Sequence, residues 1–175
     1  GGLFSEQVFS AMKARDILRL KGPLGSFFIR EDSDKPMIFV AGGTGFAPIK
    51  AMLEHAFAAH MDRELVLYWG ARARKDLYMA ELPQRWAAEH PNFSFIPVLS
   101  EPAPDDAWQG RTGNVHAAVL ADFSDLSGYQ VYASGAPVMV DSARETFTRS
   151  RGLPEDQFFA DSFVYAADAA SAAAG

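Results

Sequence analysis

Two short stretches of this chain carry residue types that can hold a phosphate. In Met37-Ile-Phe-Val-Ala-Gly42-Gly43-Thr44-Gly45-Phe46-Ala-Pro48-Ile49, an apolar run breaks into glycines and a helical pattern then opens at a proline. Glycines let the backbone bend tightly and approach an anion with no Cβ in the way. The first N–H groups of a helix lack intrahelical partners and carry roughly +0.5 of a charge, so they attract a pyrophosphate. Pro48 suits a first helical turn, where its missing N–H costs nothing. The second stretch, Val131-Tyr-Ala-Ser134-Gly135-Ala-Pro137-Val-Met139, repeats the plan of strand, glycine turn and proline-opened helix. Two such turns at the carboxyl ends of parallel strands would set one ligand across the edge of an open α/β sheet. The plainer alternative for each is a turn that serves packing alone.

Neighbouring motifs narrow the chemistry. The first turn is not a P-loop, because no Gly-Lys-Ser/Thr follows it. Nor is it the GxGxxG fingerprint, whose acidic partner at the next strand's end is missing from Tyr68-Trp69-Gly70-Ala71-Arg72. Three cations, Arg72, Arg74 and Lys75, follow that strand, and Tyr78 comes shortly after. They could take a ribose phosphate while Tyr78 stacks on an adenine. Otherwise Arg74 and Lys75 are a solvated loop, with Asp76 capping the next helix; Arg72, nearest the strand end, is the better candidate. Gly110-Arg-Thr-Gly113 precedes a further helix and reads either as a ligand loop or as a turn capped by Thr112 or Asn114. Ser134 has no evident His–Asp partners, which argues against a hydrolase triad. The histidines, the methionines other than Met139, Trp86 and Trp108 read as packing or surface.

The elements that must position these residues alternate. Continuous apolar runs at Met37–Ala41, Glu64–Trp69, Phe93–Leu99, Gln130–Ala133 and Phe158–Phe163 read as buried strands. Helical patterns lie between them: one carrying Ile49, Met52, Leu53, Ala56 and Phe57 on a single face, then Tyr78–His90, Val115–Ala121 and Pro137–Ser150, the last ended by Gly152. Strand–helix alternation predicts an open, parallel five-stranded sheet with helices on both faces. Residues 1–30 differ. Ile17–Leu20 and Phe27–Ile29 read as short strands around Gly22-Pro-Leu-Gly25, with a possible turn at Gln7–Met12 and a charged linker over Glu31–Pro36. That organisation predicts the end of a β-domain over 1–30, a nucleotide domain over 31–165 and a disordered Ala-rich tail over 166–175. The opening Gly1-Gly2 is already mid-pattern and reads as the start of a fragment of something longer.

With 175 residues, 49% of them hydrophobic, the chain can bury one good core. A formal charge of −6 argues against nucleic acid as the main partner. No cysteine means no disulfide, thiolate nucleophile or iron–sulfur ligand within these residues, and the four histidines show no metal-binding spacing. No apolar run reaches the ~18 residues of a membrane span, and no signal-peptide pattern is present, so a cytoplasmic location is expected.

Taken in order, Gly22–Gly25, Gly42–Pro48, Tyr68–Arg72, Asp76-Leu-Tyr78, Ser134–Met139 and Asp161-Ser-Phe163 resemble the ferredoxin–NADP reductase superfamily. Within it the chain is most similar to CDP-6-deoxy-glucoseen reductases and NAD(P)H–flavin reductases. The resemblance covers residues 1 to about 165 and implies a FAD- or FMN-binding β-barrel followed by a nicotinamide-nucleotide domain, with a 2Fe–2S domain in some members. It implies that Gly42, Gly43, Thr44, Gly45, Phe46 and Pro48 receive the pyrophosphate, and that Arg72 and Tyr78 lie toward adenosine. Gly135, Pro137 and Met139 would flank the nicotinamide and its ribose. Gly2 and Ser5 would belong to a flavin-phosphate motif, and Phe163 would sit near the isoalloxazine. Ser134 stands where the family usually has Cys, which bears on rate more than on binding. The family's first flavin motif, Arg-x-Tyr-Ser, would lie upstream of Gly1, so this chain alone is expected to purify without flavin.

The resulting expectation is the NADH- or NADPH-binding part of a flavin-dependent oxidoreductase, with Ser134 and Phe163 nearest the hydride transfer. Its partners would be the rest of the barrel and a downstream iron–sulfur or other electron acceptor. Reduction of free flavin and a non-catalytic nucleotide module are the alternatives, and NADH against NADPH stays open.

Overall fold

The computed structural model describes residues 3–163. Six parallel strands, β1 (Met37–Gly42), β2 (Leu65–Ala71), β3 (Phe93–Leu99), β4 (Arg111–Thr112), β5 (Gln130–Gly135) and β6 (Phe158–Ser162), form one sheet in the order β4-β3-β2-β1-β5-β6. Helices α2 (Phe46–Ala58), α3 (Glu81–Glu89), α4 (Val115–Asp122) and α5 (Pro137–Arg151) connect them, and a single turn, α1 (Leu3–Glu6), precedes the sheet.

Side-chain alternation along the strands divides the core between the two faces. Met37, Phe39 and Ala41 of β1 and Leu65, Leu67 and Trp69 of β2 pack with Ile49, Met52 and Leu53 of α2 and Trp86 of α3. Ile38, Val40, Val66 and Tyr68 point the other way, onto Val115 and Val119 of α4 and Val140, Ala143 and Phe147 of α5. Burial on both faces is why these strands read as unbroken apolar runs.

The sheet has one strand more than the five expected. Strand β4 is two exposed residues with no apolar signature. It exists because Arg111 and Thr112 pair with Val98 and Leu99 and the Gly113 N–H donates to the Leu99 carbonyl, 2.9 Å away. The second correction is upstream: neither Ile17–Leu20 nor Phe27–Ile29 is a strand. A strand is held by its ladder, and Ile17, Leu18 and Leu20 are exposed with no neighbouring strand among the described residues. Ile29 is instead buried in the core of the sheet, and the Arg30 N–H donates to the Tyr132 hydroxyl at 2.9 Å. Gln7–Ala11, where a turn was expected, forms a short π-type turn. The third helix of the sheet region's expected set holds to within a residue, whereas the helix expected from Tyr78 starts only at Glu81. The Ala-rich tail over 166–175 lies outside the described residues.

The chain runs from β1 to β2 on one side and returns to β5 on the other. Between β1 and β5 the strand order reverses, and the crevice beyond their carboxyl ends is where open α/β sheets bind ligands.

Candidate functional site

Both glycine turns converge on that crevice. After β1, Gly43 has φ +52°, in the left-handed region that glycine favours, and begins the 3-10 turn Gly43–Gly45. The indole N–H of Trp69 donates to the Gly43 carbonyl at 2.9 Å, and Phe46 stacks on the same indole with centroids 4.0 Å apart. Phe46 thus anchors the turn from inside the core. A Cβ on Gly45 would drive into the carbonyl of Ser134, so the two turns touch back to back. Gly135 has φ +149°, and a Cβ there would come 2.9 Å from Met139 Cε and 3.1 Å from Gly42 Cα. Pro137 opens α5 at its first position, whereas Pro48 is the third residue of α2, still within the turn whose N–H groups are free.

Across these ends runs a cavity of about 670 Å³. Gly42, Gly43 and Thr44 line its middle, Met139 and Phe163 one end, and Arg72, Asp76, Ser100, Asn114 and His116 the other. Phe163 is held at the rim because its N–H donates to the Gly135 carbonyl at 2.9 Å. Gly70 admits the start of α4, since a Cβ there would lie 2.8 Å from Val115 Cβ. Two buried polar atoms have no partner among the described residues: Ser134 Oγ, in a residue fully buried beneath the turns, and His116 Nδ1. Burial holds the His116 imidazole below its ordinary pKa, so it is neutral near pH 7.

Of the residues expected at the site, Gly42, Gly43, Thr44, Arg72, Met139 and Phe163 line the cavity. Gly45, Phe46, Pro48, Ser134, Gly135 and Pro137 shape the turns behind it. Tyr78 is elsewhere: half-exposed against Trp69 at 5.2 Å, it lines a second cavity of about 610 Å³ with Arg74 and Trp108. Asp76 does not cap α3 but accepts from the Ala73 N–H at 3.1 Å, closing its own 3-10 turn. Asn114 stands at the N-cap of α4 without a side-chain bond to the helix amides. Ser5 is exposed on α1, and Gly2 lies outside the described residues. Asp76, Ser100, Asn114 and His116 were not expected at the site; their shared signal is position, each just past a strand end or opening a helix.

Residues 39–145 match the family described as "Oxidoreductase NAD-binding domain". The chain belongs to that family. Among curated relatives, a CDP-6-deoxy-L-threo-D-glycero-4-hexulose-3-dehydrase reductase of Yersinia pestis is 44% identical over 163 residues, 93% of this chain and 48% of the relative. An NAD(P)H-flavin reductase of Aliivibrio fischeri is 35% identical, over 91% of this chain and 66% of the relative. Of solved structures, the Amycolatopsis cytochrome P450 reductase GcoB superposes with a TM-score of 0.72 at 35% identity, covering 81% of this chain and 42% of that one. The chain therefore spans about half the length of several of the relatives it matches. Its resemblance to flavin-linked, ferredoxin reductase-like oxidoreductases is borne out, and the open parallel sheet is that of these neighbours.

The cavity fits a nicotinamide dinucleotide. Its middle is bare backbone at Gly42 and Gly43, and two helices of 13 and 15 residues begin beside it. The described residues do not themselves enclose a flavin; Phe163 alone of that expected set borders the cavity. No helix among the described residues is long and apolar enough to cross a membrane.

Proposed function

We propose that this chain is the NAD(P)H-binding part of a flavin-dependent oxidoreductase. The observation that carries the reading is the single cavity running from Phe163, past the Gly42–Thr44 turn, to His116 at the carboxyl ends of the sheet. A reduced nicotinamide held by these residues would supply a hydride toward a flavin beyond Phe163, and the flavin would supply electrons, one or two at a time, to the acceptor.

The chain's own residues bind and orient. Free N–H groups of the Gly43–Gly45 turn and of α2 receive the pyrophosphate. Met139, whose methyl lies against Gly42 and Gly135, sets the floor for the nicotinamide half. Ser134 stays behind the turns, its carbonyl against Gly45, and supports the nicotinamide half without touching it. Phe163 covers the reacting face. None is an acid or base, since positioning and electrostatics are what the protein contributes to such a transfer. In this reading residues 1–30 form part of a flavin-binding domain, with Gly2 and Ser5 toward the flavin phosphate, and the acceptor is an iron–sulfur or other electron carrier in the cytoplasm, where reduced dinucleotides are made. A second reading, release of reduced free flavin, is favoured by the 35% identity to an NAD(P)H-flavin reductase.

The test is calorimetric titration of the full chain and of Gly42→Ala with NADH and NADPH. A Cβ at Gly42 meets the flexible end of Met139 at 3.1 Å and the Gly135 Cα at an ordinary contact distance of 3.8 Å, so this variant keeps its fold while narrowing the cavity. Saturable binding of a nucleotide, weakened about tenfold or more in the variant, supports the reading. No binding of either nucleotide refutes it.

A further inference from the structure

We propose that the Arg72–His116 end of the cavity selects NADH over NADPH, with the Asp76 carboxylate taking the adenosine ribose hydroxyls and excluding a 2′-phosphate. This rests on the dinucleotide reading above. The Gly42–Thr44 turn fixes the pyrophosphate mid-cavity, so a nicotinamide at the Met139 and Phe163 end puts the adenosine ribose among Arg72, Asp76, Ser100, Asn114 and His116.

The cations explain the choice. A 2′-phosphate brings a charge of about −1.5 to −2 near neutral pH and needs guanidinium or ammonium partners. Four cationic side chains lie near this end of the sheet, yet three are directed elsewhere. The Arg74 guanidinium donates to the Asp106 carbonyl at 3.2 Å and borders the second cavity. The Arg111 guanidinium is paired with the carboxylate of Asp122, the last residue of α4, and lines neither cavity. Lys75 lines neither cavity. His116 is at the wall but neutral. Arg72 alone remains in the wall of the cavity.

The charge of Arg72 is matched within the same wall. Asp76 shares the wall with Arg72, its Oδ2 fixed by the Ala73 N–H. Glu101 follows the lining residue Ser100, and its N–H donates to the Arg72 carbonyl at 2.9 Å. The Asp106 carboxylate is taken up outside that wall, accepting from the Arg74 N–H at 3.2 Å and the Ala103 N–H at 3.0 Å. One guanidinium beside one carboxylate leaves no surplus positive charge in that wall for a phosphate dianion. A carboxylate is, however, the acceptor that a ribose hydroxyl pair calls for. The acidic residue missing from the end of β2 is supplied by the turn that follows it.

The experiment is calorimetry of NADH and NADPH on the full chain, on Asp76→Asn and on Asp76→Asn with Glu101→Gln. Asparagine keeps an oxygen for the Ala73 N–H, so the turn survives. NADH binding at least about tenfold tighter than NADPH, with that ratio falling several-fold in the single variant and further in the double, is the expected result. Similar affinities for both nucleotides, or a ratio unmoved by either variant, overturn the selection while leaving the nucleotide site standing. Binding of neither overturns both. As a control on the folded state, all three proteins should give the same far-UV circular dichroism and the same urea midpoint.

Discussion

Ser134 is one of two described residues, with His116, at which a buried polar atom is left unsatisfied. Its hydroxyl is buried with no protein partner among the described residues, which costs about 1–3 kcal/mol in desolvation. Removing it takes away no hydrogen bond. Ser134→Ala should therefore be as stable as the parent or up to about 1 kcal/mol more so in urea unfolding without nucleotide. With NADH present, the midpoints of variant and parent should rise equally, because the hydroxyl lies behind the cavity wall. A fall in stability without nucleotide would mean that the hydroxyl already has a partner. Both glycine turns were legible as turns, because glycines follow a strand and precede a helix at Gly42–Gly45 and at Gly135. Tyr78 was not. Stacking on a nucleotide and packing on Trp69 ask for the same residue type, and only the fold separates them. Asp76 was passed over for the opposite reason: a carboxylate in a 3-10 turn looks like a cap until the turn is seen to border the cavity.

Among the elements, β4 shows where pattern reading stops. Strands buried on both faces announce themselves as apolar runs, and all five of those were legible. An edge strand of two exposed residues announces nothing, and its existence depends on what holds it in place. Arg111 pairs with one carboxylate oxygen of Asp122, and the other accepts from the Tyr68 hydroxyl at 2.7 Å. Tyr68 is buried in β2, so β4, α4 and the sheet meet at one carboxylate. Burial, and then the bond to Asp122, hold the Tyr68 hydroxyl well above its ordinary pKa, so it stays a donor at any physiological pH. Asp122→Ala would leave that hydroxyl buried and alone, at a cost of about 1–3 kcal/mol in urea unfolding. It would also free Arg111 and loosen the Gly113–His116 rim. Amide exchange should then accelerate at Gly113, whose N–H is bonded to Leu99, while the centre of β1 stays protected. Unchanged exchange at Gly113 would show that strand pairing alone holds the rim.

For the molecule as a whole, the question is where the sheet's own stability begins. The alternating region from residue 37 onward was legible, and so was the different character of residues 1–30, but the point of division was not. Charge marked Glu31–Pro36 as a linker, whereas burial places Ile29 in the sheet's core with Phe27 packed against it. Arg63 then ties the linker down, donating to the carbonyls of Arg30 at 3.0 Å and Lys35 at 2.6 Å and to Gln130 Oε1 at 2.6 Å. Upstream, Phe4, Phe9, Ile17, Leu18, Leu20 and Leu24 are all exposed. Fully burying such a side chain is worth about 1.5–3 kcal/mol; these six contribute nothing to the sheet and present an apolar surface suited to association. A chain beginning at residue 27 should therefore unfold in urea within about 1 kcal/mol of the full chain and sediment as a monomer at concentrations where the full chain self-associates. Cutting instead at residue 31 removes Ile29 and the Arg30 contacts with Tyr132 and Arg63, and should lower stability by about 2–4 kcal/mol. Equal stability of the two truncations would show that the sheet stands without Ile29, and would move the boundary back to the charged linker.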